Sequence, residues 1–238
     1  MRFYRPLTPI KAMTFDLDDT LYNNEPIISL ADASLTAFIA ANFPRAAALP
    51  RSRWNEIKRE LIKNNPPLGS DMGLLRLETL RVALADDVAP GSALEQAAQD
   101  CFNCFYHARS DFRLDDKIHE VMSALAKKVP LIAITNGNVD TQKTGLTEYF
   151  EAVLHASVVR PSKPAPDMFH EAADMLSLPP KAILHVGDNL EKDVMGAIKA
   201  GMQSAWIAAN REMNLSREAV TLLPHVELSA LDDLLRLA

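Results

Sequence analysis

Two cysteines in 238 residues, Cys101 and Cys104, are too few for a disulfide framework. Long apolar runs are also missing. No stretch approaches the roughly 18 apolar residues of a membrane span. The opening residues 1–14 place Arg2, Arg5 and Lys11 among apolar neighbours and lack the unbroken apolar core of a signal peptide. Positive charge is not in excess: 25 Lys and Arg face 31 Asp and Glu, a net charge of -6, so there is no global basic footprint for nucleic acid. The chain shows no internal repeat and no low-complexity tract. These absences leave a soluble chain in a reducing, cytoplasmic setting as the expectation, acting as a monomer or weak dimer with no membrane or nucleic-acid partner.

Hydrophobic residues make up 48% and charged residues 24%, close to the averages of globular chains. The length suits one large α/β domain carrying a smaller insert. Apolar runs at 10–17, 129–135, 152–156, 182–186 and 204–208 read as buried strands, several of them ending in polar residues. Helical patterns lie between them, at about 115–128, 167–176 and 190–200. Strands alternating with helices predict a doubly wound parallel sheet covered on both faces. The stretch 228–237 reads as a packing helix. One interval breaks the rhythm: 22–112 has helical periodicity and no good strand, with helices expected at 26–42, 52–64, 73–86 and 92–109. Pro44, Pro50, Pro66-Pro67-Leu68-Gly69 and Pro90-Gly91 separate them. The expected organisation is therefore a core of 1–21 and 113–238, with a helical bundle of 22–112 inserted after the first strand.

Open parallel sheets bind ligands beyond the carboxyl ends of their strands. Those ends present Asp16, Asp18 and Asp19, then Thr135-Asn136-Gly137, then Asp188 and Asp193, while Lys163 lies in a Pro-rich loop. Asp16 and Asp18 are two apart and can face one substrate. An ionised carboxylate beside a divalent cation can attack phosphorus, and a second acid can protonate a leaving alkoxide and later activate water. A solvated acidic turn explains the same cluster. Asp188 and Asp193 offer the oxygen ligands that Mg²⁺ selects, unless one of them only caps a helix. Gly187 fits a tight turn where the strand passes into the helix, and Gly137 a close approach of backbone. Thr135 and the N–H groups after it suit phosphate oxygens, although Thr-Asn-Gly is also an ordinary turn. Lys163 can offset phosphoryl charge or simply be solvated.

Together these four segments resemble, in order, the four signature motifs of the haloacid dehalogenase superfamily. The matches fall at Asp16, Asp18 and Thr20, at Thr135, at Lys163 in Lys163-Pro164-Ala165-Pro166-Asp167-Met168-Phe169, and at Asp188 and Asp193. The resemblance covers about 10–237. It implies an α/β Rossmann-type core with Asp16 as nucleophile and Asp18 as general acid/base. Mg²⁺ would be bound by Asp16, the main-chain carbonyl of Asp18 and Asp188, with Asp193 in support. Thr135, the backbone around Asn136 and Lys163 would hold the phosphate. The helical insert would be a C1 cap that closes over the site. An aspartate at position 18 implies phosphatase or phosphomutase chemistry, since dehalogenases of this superfamily lack an acid there.

Further segments are similar to YigB-type bacterial phosphatases, which are associated with flavin mononucleotide and ribitylaminouracil phosphate. These are Met1-Arg2-Phe3-Tyr4-Arg5-Pro6-Leu7, Ala133-Ile134-Thr135-Asn136-Gly137-Asn138, Leu184-His185-Val186-Gly187-Asp188, Ala200-Gly201-Met202-Gln203 and Leu223-Pro224-His225. A phosphomutase of the β-phosphoglucomutase type, a signalling receiver domain and a non-catalytic module on the same fold are the competing readings. A receiver is about half this length and lacks the second acid. The pair Cys101 and Cys104 is expected in a packed helix, His185 in the core, and Arg76, Arg81 and Tyr106 on solvated faces of the insert.

Overall fold

The structure, a computed structural model, describes residues 1–238. A two-residue strand, β1 (Arg2–Phe3), precedes β2 (Ala12–Phe15). Five helices follow: α1 (Glu25–Asn42), α2 (Pro44–Ala47), α3 (Arg51–Asn64), α4 (Met72–Leu84) and α5 (Ser92–Arg109). The rest alternates through α6 (Asp116–Ala126), β3 (Leu131–Thr135), β4 (Ala152–His155), α7 (Asp167–Met175), β5 (Ile183–Gly187), α8 (Gly196–Lys199), β6 (Gln203–Trp206) and β7 (Val226–Glu227). The seven strands form one sheet in the order β1-β7-β6-β5-β2-β3-β4. Every pairing is parallel except β1 with β7.

Every residue of β2, β3, β5 and β6 is buried, which explains why these strands read as continuous apolar runs rather than alternating ones. Alternation still sorts the two faces. Met13 and Phe15 pack with Val121, Met122 and Leu125 of α6, whereas Ala12 packs with Met168, Phe169 and Ala172 of α7. The insert has its own apolar centre, in which Ala31, Leu35 and Ile39 meet Leu80, Leu84, Ala98, Cys101 and Phe105. No helix is long and apolar enough to cross a membrane.

Three sequence expectations change. The strands are shorter than expected at several ends, and β1 and β7 were not anticipated. Two-residue strands carry no period, and this antiparallel pair joins the ends of the chain, Arg2 opposite Glu227. The helix expected over 190–200 is split: Leu190–Met195 winds as a π-helix, with the Val194 N–H bonded to the Asn189 carbonyl, and only Gly196–Lys199 is α-helical. The C-terminal stretch is a 3₁₀ turn, Leu231–Arg236, rather than a full helix.

Candidate active site

Strand β2 lies between β3 and β5, and the chain builds β3 and β4 on one side of it before crossing to β5 and β6 on the other. That switch opens a crevice beyond the carboxyl end of β2. Phe15 is paired with Ala133 and Val186, and Asp16 is the next residue, its N–H donating to the Val186 carbonyl at 2.9 Å. A cavity of about 300 Å³ lies over it, walled by Asp16, Asp18, Asp19, Thr135, Asn136, Gly137, Lys163, Asp188 and Asp193, with Met72 of the insert as its one apolar residue. A larger opening of about 470 Å³ lies between α6 and the C-terminal turn. Its lining is mostly apolar and lacks these carboxylates, so the smaller cavity holds the chemistry.

Lys163 is the hub. Its ammonium is buried and donates to Asp16 Oδ1 at 2.6 Å and the Ile134 carbonyl at 2.7 Å, and it pairs with Asp193 Oδ1 at 2.7 Å. The loop carrying it is clamped by the Asn136 side chain, whose Oδ1 accepts from the Lys163 N–H at 2.8 Å and whose Nδ2 donates to the Lys163 carbonyl at 3.0 Å. Both ends of the Asn136 amide thus hold the backbone of Lys163. Thr20 Oγ1 donates to Asp16 Oδ2 at 3.2 Å. Thr135 is fully buried, and its hydroxyl oxygen accepts the Gly137 N–H at 2.9 Å.

Asp193 is held from behind. His185, a core histidine as expected, bridges Thr14 Oγ1 at 2.9 Å and Asp193 Oδ1 at 3.2 Å, with Phe169 edge-on against its ring. Asp193 Oδ2 accepts the Asn189 N–H at 3.0 Å. The capping function open to Asp188 or Asp193 is taken by Asn189, whose Oδ1 accepts from the Glu191 and Lys192 N–H groups. Gly187 is needed for closeness rather than for a turn. A Cβ there would overlap Cβ and Cγ of Asp193. Gly137 likewise admits Asp18, because its Cβ would lie 2.5 Å from Asp18 Oδ2.

Burial drives the Asp16 carboxyl up to about 8, with Lys163 opposing and Asp193 and Asp18 adding to the rise. Burial also pushes against an ionised Asp193, but Lys163 and His185 outweigh it and hold that group below its ordinary range. Lys163 is raised: burial lowers it, and Asp16 and Asp193 more than compensate. Asp188 is pushed up to about 6, mainly by burial, then by Asp193, against the pull of Arg211. The pocket therefore has more carboxylate than cation. Asp16, Asp188 and Asp193 each bring an oxygen within 4.8 Å of the others, an all-oxygen donor set that suits a small hard divalent ion.

All seven residues expected at the site gather around this cavity. Arg211, Tyr22 and Arg109 were not anticipated. Arg211 Nη1 donates to Asp188 Oδ2 at 2.8 Å, and its Nε donates to Glu218 at 2.8 Å. Tyr22 and Arg109 both hold Asp18 Oδ1, Tyr22 from 2.6 Å. Arg109 ends a helix, where a basic residue reads as an exposed dipole partner, and no local signal marks it as buried. Of the insert residues singled out in the sequence, Arg76 turns inward, 3.4 Å over the Phe105 ring, and Arg81 pairs with Glu78 and Glu95. Tyr106 stacks with Phe102 beside a groove that adjoins the site. Both cysteines are free thiols of α5, Cys101 fully buried.

Residues 10–201 match the family described as haloacid dehalogenase-like hydrolase. The chain belongs to that family. This haloacid dehalogenase-like hydrolase is 37% identical to the 5-amino-6-(5-phospho-D-ribitylamino)uracil phosphatase YigB of Escherichia coli K12, across 98% of both chains. It is 30% identical to the human N-acylneuraminate-9-phosphatase over 60% of each chain. A crystal structure described as 2-haloacid dehalogenase from Pseudomonas syringae pv. Tomato DC3000 superposes with a TM-score of 0.87 at 32% identity, covering 96% of this chain and 97% of that one. Within its family, this hydrolase is a phosphoric monoester hydrolase.

Proposed function

We propose that this hydrolase uses Mg²⁺ and Asp16 to cleave a small-molecule phosphate monoester of flavin chemistry, either flavin mononucleotide or 5-amino-6-(5-phospho-D-ribitylamino)uracil. The observation that carries the reading is the Asp16–Lys163–Asp193 cluster, with Asp18 two residues on and Asp188 across the cavity. Asp16 attacks phosphorus and the bond to the alcohol oxygen breaks, giving a phosphoryl-aspartate. Asp18 gives its proton to the departing oxygen, then takes one from the water that attacks phosphorus and frees inorganic phosphate. The Thr135 hydroxyl and the backbone around Asn136 orient the phosphoryl oxygens, and Lys163 balances their charge.

The carboxylates of Asp16 and Asp188 and the main-chain carbonyl of Asp18 would hold the metal. Asp193 supports from behind, both of its oxygens being occupied by protein donors. Bound Mg²⁺ supplies the fixed positive charge that favours an ionised Asp16 and draws charge from the phosphoryl oxygens. Asp18 also separates this chemistry from halide displacement. A halide leaves as a stable anion, whereas an alkoxide needs a proton.

We assign 22–112 as the lid and 1–21 with 113–238 as the catalytic core. Support for a closing lid comes from Ser70, whose Oγ accepts the N–H of Ser162, the neighbour of Lys163, at 3.1 Å. The two free thiols fit a reducing, cytoplasmic setting. The substrate assignment draws its support from similarity to the Escherichia coli enzyme over nearly the whole chain. The test is phosphate release, with and without Mg²⁺, from the two flavin-pathway esters beside pyridoxal phosphate, sugar phosphates and nucleotides. Magnesium-dependent release with the flavin-pathway esters preferred is expected. Equal or better turnover of the other esters removes the substrate assignment, and release unaffected by chelation removes the metal.

A further inference from the structure

We infer that Tyr22 and Arg109 are positioning residues that aim one oxygen of Asp18, Oδ2, at the leaving group, and that they do so from the two junctions of the helical insert. The inference rests on the reading of Asp18 as the general acid. Tyr22 precedes α1 and Arg109 is the last residue of α5, so the chain enters and leaves the insert at these two side chains. The junctions pack together, the Tyr22 ring lying 4.6 Å from that of Phe112. Both donors converge on the same atom: the Tyr22 hydroxyl reaches Asp18 Oδ1 at 2.6 Å, and Arg109 Nη2 donates to that oxygen as well.

A carboxyl whose Oδ1 accepts two hydrogen bonds can carry a proton only on Oδ2. That oxygen lies against Gly137, close enough that a Cβ there would sit 2.5 Å away, on the loop that follows Thr135. The free oxygen therefore faces the phosphate loop while the held one faces the junctions. As Asp16 bonds to phosphorus and the alcohol oxygen departs, the proton on Oδ2 passes to that oxygen and Asp18 is left a carboxylate. The two donors on Oδ1 then stabilise the new charge.

Arg109 is held as firmly as the acid it meets: its side chain is 1% exposed, and its partner lies 91 residues away in the chain.

The experiment compares two leaving groups in kcat/KM, which reports on the steps through departure of the alcohol. The phenolate of 4-nitrophenyl phosphate departs without a proton, whereas the primary alkoxide of flavin mononucleotide needs one. Tyr22→Phe keeps the ring against Phe112 and removes only the hydroxyl. Arg109→Lys keeps the charge and loses the planar fork. Asp18→Asn calibrates the full loss of the acid, on the order of 10²–10⁴-fold on the alkyl ester. The expected result is a loss of roughly 10-fold or more on the alkyl ester in Tyr22→Phe and Arg109→Lys, with little change on the aryl ester. Equal losses on both esters, or none, while Asp18→Asn remains selective, would overturn the positioning role and leave the acid assignment standing. If Asp18→Asn is itself unselective, the acid assignment fails and the inference with it. Should Arg109→Lys not fold, Tyr22→Phe decides alone.

Discussion

At the scale of single residues, the site is a buried cluster in which carboxylates outnumber cations. Asp16→Asn removes the nucleophile but leaves an isosteric amide, whose oxygen can still accept from Lys163 and whose nitrogen can donate to the Thr20 hydroxyl. Turnover is expected to vanish while the thermal midpoint stays near that of the parent; residual turnover well above background would remove Asp16 from its role. Gly137→Ala tests closeness. The added methyl meets Asp18 Oδ2, the end of a side chain, so the acid is pushed aside while the strand below it stays intact. The alkyl ester should lose turnover by roughly the general-acid factor, 10²-fold or more, with the fold retained by circular dichroism. Asp16, Asp18, Thr135, Lys163, Asp188 and Asp193 were legible in the sequence because each sits at a strand end or in a short motif. Arg109 and Arg211 were not, since their partners lie 91 and 23 residues away and nothing local marks either as paired.

At the scale of elements, the turn after β5 is tightly constrained. The chain leaves Gly187, caps on Asn189 and winds through the π-helix Leu190–Met195, which turns Asp193 back beneath the strand end. A π-turn at a functional site is a recurring device for aiming one side chain. Gly187→Ala should therefore harm more than Gly137→Ala. Its Cβ would meet Cβ and Cγ of an Asp193 pinned by Lys163 and His185, so something in the buried network must shift. A lower thermal midpoint together with lost activity is expected, and a stable, active variant would show that the turn has slack. The period of apolar residues revealed a helical segment here but not its winding. Helical spacing constrains which face is buried, whereas the extra residue in the turn answers to the position of Lys163.

At the scale of the whole molecule, proton and metal binding are linked to stability. Between the ordinary aspartate value near 4 and about 8, folded Asp16 keeps a proton that the unfolded chain has lost. Asp188 does the same up to about 6. His185 and His225, both held below the ordinary histidine value mainly by burial, act oppositely up to about 6.5, so the folded state binds more protons from there to about 8, and stability falls as pH rises through that window. Asp193, held low, acts oppositely, but only as pH falls below the ordinary value. In EDTA the thermal midpoint should decline from about pH 6.5 to about pH 8, and Asp16→Asn should flatten that slope. Mg²⁺ competes with those protons, so it should raise the midpoint more at the higher pH. A metal effect independent of pH would contradict this excess of carboxylate over cation. The sequence by itself determined the alternation of strand and helix, the run of helices after the first apolar strand and the strand ends where the carboxylates gather, because backbone period and turn chemistry are local. Tertiary structure alone decided that β1 pairs with β7, that the Asn136 side chain clamps the backbone of Lys163, and that Tyr22 and Arg109 hold Asp18. Those contacts join residues far apart in the chain, and a buried charge takes whichever partner the fold brings near it.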